Sequence, residues 1–185
     1  PENNLADKIA EQLRVREHSH LIFGAPGNDI SNIGDIQNKT EQFKLAVKSS
    51  ENCIDIAEKA LMEFPKLEKV IITERLPRAD YLSDLSEYSN FALRTLAEQS
   101  TLSERIQIIP MESLYYNSHE EMTSIFGSPS SHKFDGIHLY GKLGSRLYND
   151  CLRSAVRTAG IYNKQNSMQV QEEQIATSNM FNGLN

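Results

Sequence analysis

Apolar residues along the chain recur with two periods, and the alternation between them predicts the elements. Leu5, Ile9 and Leu13, with Ala6 and Ala10 beside them, form a helical stripe that predicts a helix over Leu5–Val15. "HLIFGAP", His20 to Pro26, is a short apolar run ended by a breaker, the form of a buried strand. Asp29–Lys39 reads as a loop or short helix, with Ile30, Ile33 and Ile36 at three-residue spacing. From Thr40, the expected cap, Phe43, Val47, Ile54, Ala57, Leu61 and Phe64 fall near one face of a long helix that Pro65 ends. "KVIITERLP", Lys69 to Pro77, begins as a central strand and leads into a polar loop. Asp84–Gln99 predicts a helix whose apolar face is Leu85, Tyr88, Phe91, Ala92, Leu96 and Ala97. "IQIIPM", Ile106 to Met111, is a third strand, and Glu112–Lys133 reads as a polar loop. Gly141–Ala159 closes the pattern as a helix, with Leu143, Leu147, Leu152 and Val156 roughly aligned.

Strands separated by helices predict an α/β class, a three-layer α/β/α sandwich on a parallel sheet. Three strands make a thin sheet for such a domain, because parallel sheets are covered on both faces and usually have more strands. The expectation is an incomplete domain over residues 1–160, with one or two strands upstream of Pro1. A chain beginning Pro-Glu-Asn-Asn, without an initiator Met, agrees with a fragment or processed product. Residues 161–185 are rich in Gln, Asn and Ser and read as a polar, disordered tail.

Composition narrows the function classes. The 185 residues carry a net charge of -6 with scattered Lys and Arg, so no phosphate-tracking groove is indicated and nucleic acid is not an expected partner of this segment. No signal peptide or apolar run of membrane-spanning length is present. Cys53 and Cys151, far apart in sequence, read as buried thiols in a reducing, cytoplasmic compartment.

Ligands of parallel α/β sheets bind beyond the carboxyl ends of the strands. Three loops emerge there: Gly24–Asn32, Arg75–Asp84, and the long loop ending in "HKFDGIHL". Asp135 and His138, with Gly136 between them, can meet across one turn, the Asp accepting from the imidazole and fixing its tautomer. A His held in this way suits a general base for a hydroxyl nucleophile. Asn28 supplies the complementary part, a neutral amide donor for a developing oxyanion, worth roughly 3 kcal/mol of transition-state stabilisation. Arg75 and Arg78 border these loops and could hold an acidic or carbonyl-bearing substrate, or pair with Asp80 or Asp84. Tyr115 and Tyr116 could line an acyl pocket or pack the loop onto the domain.

"GAPGNDISN" and, much later, "FDGIHLYGKLGSRLYNDCL" together resemble the SGNH-hydrolase (GDSL-like) superfamily of esterases and lipases. "LPR" at Leu76–Arg78 and "YSNFAL" at Tyr88–Leu93 add to the likeness, which spans about Leu5 to Ala159 and is nearest to SGNH domains of animal retrotransposon-derived proteins. The resemblance implies a flavodoxin-like three-layer fold lacking its first strand. It also implies a serine esterase or acyl hydrolase acting on a small ester without cofactor or metal. By position, Asn28 matches the oxyanion-hole Asn, Asp135 the triad Asp and His138 the triad base, with Gly27, Arg75 and Arg78 as candidate pocket residues. The family's Gly-Asp-Ser block has no counterpart, so the nucleophile is expected upstream of Pro1. Pro26 stands where the family keeps a Gly. Ser130 and Ser131 are turn formers rather than replacements.

Plainer readings stand beside these. Asn28 and Asp29 also suit a turn or cap, Asp135 and His138 a capping pair, and His132, Asp135 and His138 have the spacing of metal ligands. The rival function is a degenerate SGNH-like domain, catalytically inactive, that scaffolds protein or RNA contacts.

Overall fold

The computed structural model describes Ile9, Glu11 and residues 19–111, 114–116, 118–128, 130, 132 and 134–158. Three parallel strands, β1 (His20–Gly24), β2 (Lys69–Thr73) and β3 (Ile106–Ile109), lie in the order β1-β2-β3. Their register pairs Ile22 with Ile71 and Ile71 with Gln107. Beside a one-turn 3-10 helix at Ser103–Arg105, the helices are α1 (Asn28–Gly34), α2 (Lys39–Glu63), α3 (Ser83–Gln99), α4 (His119–Phe126) and α5 (Gly141–Thr158).

The central strand shows why the domain has three layers. Val70 and Ile72 point to one face and Ile71 to the other, and all three are fully buried. On the first face they meet Phe23, Cys53, Ala57, Leu61, Leu93 and Ala97, so α2 and α3 form that layer side by side. On the second face Ile71 and Ile109 pack with Met111, Leu114 and, from α5, Cys151 and Ala155. The fold is thus a mixed α/β domain, a parallel sheet flanked by helices. Among the described residues the outer edge of β1 is unpaired, and Ile22 on the α5 side of the sheet is 40% exposed.

Several local expectations are corrected. Asn38, not Thr40, caps α2, its side chain accepting from Glu41 N at 3.2 Å. The expected polar loop over Glu112–Lys133 contains α4, which Ser118 caps by accepting from Glu121 N and which buries Ile125 and Phe126. β3 ends at Ile109 rather than Met111.

Phe43, Tyr88 and Phe91, expected on the inner faces of their helices, are 36%, 41% and 59% exposed. Buried in their stead are Ser49 and Ser50 of α2 and Ser86, Ser89 and Asn90 of α3. Of the helix predicted over Leu5–Val15, Ile9 and Glu11 are described, both helical, with Ile9 in the first core. The expected tail lies outside the described residues. No helix among those described is long and apolar enough to cross a membrane.

Candidate active site

Parallel strands bring their carboxyl ends to one edge, and the loops leaving Gly24 and Thr73 enclose a cavity of about 250 Å3 there. Gly27, Asn28, Thr73, Glu74, Arg78 and His138 are among its lining residues. Asn28 and His138, distant in sequence, therefore face one space.

Asn28 is the first residue of α1, which Ile30 and Ile33 anchor against Ala46, Leu82 and Leu85. Its side chain is exposed and takes no hydrogen-bond partner among the described residues. The turn before it is held from below by Arg75. That guanidinium is 1% exposed; it donates through Nε to Pro26 O at 3.2 Å and through its terminal nitrogens to Ser49 Oγ at 2.7 Å and Ser50 Oγ at 3.3 Å. Ser49 in turn donates to the Asp29 carboxylate. Asn90 clamps the Arg75 backbone, accepting from its N–H and donating to its carbonyl, each at 3.0 Å.

Burial pulls the Arg75 pKa down, opposed by Cys53 and Asp29, while burial pushes the Cys53 thiol up to about 11 against the pull of Arg75. Ser49 and Ser50 of α2 thus face inward to meet this buried cation, while from α3 Asn90 meets its backbone and Ser89 bonds Ser50. Arg75, expected beside the substrate, does not line the cavity, and its donors are spent on the protein. Pro26 lacks an N–H, but its carbonyl is what Arg75 grips.

Arg78 does line the cavity, bound to Asp80 (Nε to Oδ1, 2.8 Å) and donating to Ser31 Oγ at 3.0 Å. Its pairing with Asp80 is one of the two alternatives read from the sequence. Glu74, 2% exposed, accepts from Met111 N at 3.1 Å and pairs with Arg94. Tyr116 packs edge-on to Phe126, whereas Tyr115 points into a separate groove; neither lines the cavity.

On the opposite wall, Asp135 Oδ1 accepts from the backbone N–H groups of Ile137 and His138 at 2.9 and 2.8 Å. Its Oδ2 meets His138 Nδ1 at 2.6 Å. Burial pushes the Asp135 pKa up, but these hydrogen bonds from the backbone and ring of His138 and from Ile137 outweigh it and bring the group down to about 2. Asp135 is therefore an acceptor at neutral pH, the Nδ1 proton lies between the two side chains, and Nε2 is left for another partner.

Gly136 makes this turn possible. Its φ of +69° suits glycine, and a Cβ there would come within 3.0 Å of Asp80 N. Its carbonyl accepts from Ala79 N at 2.7 Å, docking the turn onto the loop that carries Arg78.

The sequence reading had not singled out Ser49, Ser50, Ser89 and Asn90. The available signal was the pairs Ser49-Ser50 and Ser89-Asn90, which interrupt otherwise apolar helical stripes. Ser86 lines the cavity but is 1% exposed and donates to Leu76 O. Ser130 pairs with Ser128 on the surface; Ser131 lies outside the described residues. Among the described residues, no three His, Cys, Asp or Glu side chains converge as a metal-ligand set, and His132 does not join Asp135 and His138. Cys53 and Cys151 are buried and form no disulfide. No family model, curated protein or solved structure matches the chain.

Proposed function

We propose that this domain carries the base, the orienting carboxylate and one oxyanion donor of an SGNH-type serine esterase, on a flavodoxin-like sandwich. The support is one observation: Asn28 and His138 line the same cavity of about 250 Å3, with Asp135 holding the imidazole by Nδ1. In this scheme His138 Nε2 takes the proton of an attacking serine, Asp135 stabilises the imidazolium, and the Asn28 amide donates to the oxyanion of a small ester. No described serine is hydrogen-bonded to His138. The nucleophile is assigned to a further strand upstream of Pro1, for which the edge of β1, unpaired among the described residues, offers the pairing position.

The test is hydrolysis of p-nitrophenyl acetate by the chain extended upstream of Pro1. Turnover is expected when the extension brings a strand with Gly-Asp-Ser. It should be lost in His138→Ala and fall by roughly 10²–10³ in Asn28→Ala. Unchanged turnover in His138→Ala would sink the assignment of the base. A second reading, an inactive SGNH-like domain that binds protein or RNA, draws on Pro26, which offers no N–H where an active site would use an amide. Its signature is binding that survives His138→Ala in an extended chain without turnover.

A further inference from the structure

A surface depression lies apart from the cavity, along the outer face of α3. It holds about 610 Å3 and is lined by Asp84, Glu87, Tyr88, Phe91, Arg94 and Tyr115. Asp84 to Arg94 spans ten helical steps, about 15 Å, the length of roughly four to five extended residues.

Three aromatic rings supply the floor, and a fourth, Phe43 of α2, meets Tyr88 edge-on at 4.8 Å, which holds the Tyr88 ring in place. Tyr88 and Phe91 remain 41% and 59% exposed, an unusual amount of aromatic surface for two neighbouring helical turns. The charges are uneven. Arg94 is paired with Glu74, so its cation is already compensated, whereas Asp84 and Glu87 are exposed and form no ion pair among the described residues. The groove therefore combines π faces with two uncompensated carboxylates, on a chain whose net charge is -6.

We propose that this groove docks an extended, Arg- or Lys-bearing segment of a partner protein. Aromatic faces attract guanidinium and ammonium groups, and the carboxylates at the Asp84 end fix the direction in which such a segment lies. The same carboxylates repel phosphate, which disfavours a nucleic-acid strand on this face. The inference holds whether or not the cavity hydrolyses esters, because the groove shares no lining residue with it.

Fluorescence anisotropy on the full chain tests it with three labelled probes. They are a short peptide alternating Arg and Lys with Leu and Gly, its counterpart with Glu at every basic position, and an oligouridine. The basic peptide should bind roughly tenfold or more tightly than the acidic one, and Phe91→Ala should weaken it by a similar factor, as removal of an aromatic anchor does. The pair Asp84→Asn with Glu87→Gln should also weaken it. The pair Asp55→Asn with Glu68→Gln, which removes the same charge from exposed positions outside the groove, should leave it unchanged. Equal binding of the two peptides, tighter binding of oligouridine, or equal losses in the two charge pairs would overturn the proposal. So would unchanged binding in Phe91→Ala, whose exposed position leaves the core intact.

Discussion

Behind Asn28 lies a buried cation tied to α2 and to the turn itself, its backbone clamped from α3; behind His138 lies one tight turn whose Asp135 and His138 side chains are in water. The Arg75 guanidinium is 1% exposed, whereas the His138 and Asp135 side chains are 82% and 45% exposed. Position on the first wall is a property of the whole α2–β2–α3 layer, since removing any contributor disturbs the others. Position on the second is local, written into Asp135, Gly136 and His138 and a single docking bond to Ala79. A site can thus be assembled from one part that fails only with the fold and another that fails alone.

The sharpest way to break the contrast is Arg75→Ala. It takes the donor from the Pro26 carbonyl and one partner each from the Ser49 and Ser50 hydroxyls, and opens a void, so a loss of about 3 kcal/mol is expected in denaturant unfolding. The effect should be cooperative, with every spectroscopic probe shifting together.

Gly136→Ala comes next, at about 1–3 kcal/mol for a side chain forced to positive φ against the Asp80 backbone. Amide shifts should change around Ala79, Asp80 and His138 and leave those of Ser49, Ser50 and Asn90 untouched. Asp135→Asn should cost less than either, because the group is exposed. It should still change the His138 ring signals and, in an extended active chain, lower turnover far more than stability.

The smallest effect is the pH response of the same turn. Asp135 is held at about 2, below its ordinary value of 3.8. Its contribution is therefore complete above about pH 4 and is lost as pH falls through 2. The carboxyl carbon resonance should titrate near pH 2 with the His138 backbone amide following it. A midpoint near 4 would show that the turn is not formed in solution.

Much of this was legible in the sequence where one residue type answers to one local rule. "KVIIT" and "IQII" read as strands from their β-branched apolar runs, and Asp-Gly-Ile-His could be read as a turn bringing carboxylate to imidazole. The short α4 was hidden because its apolar residues, Met122, Ile125 and Phe126, are few; the Ser118–Glu121 cap was the better signal. Phe43, Tyr88 and Phe91 were misplaced for a different reason. Periodicity ranks side chains by their own hydrophobicity, and it has no knowledge of a cation placed by another strand. Arg75, read as a substrate contact or a salt-bridge partner, is buried instead, its guanidinium met by Ser49 and Ser50 of α2 and its backbone by Asn90 of α3. The charge of Arg75 was visible in the sequence; its burial is decided by tertiary structure.

The hydrogen bond from Ala79 to the Gly136 carbonyl has a kinetic consequence. It joins two loops separated in the chain by α3, β3 and α4, so it can close only after those elements have folded and brought their ends together. The turn it docks is held by few contacts and can be released without unfolding the sheet. In native-state hydrogen exchange the amides of Ala79, Ile137 and His138 should lose protection well before those of β2. The imidazole would be the last part of the cavity to arrive as the chain folds and the first to leave as it opens.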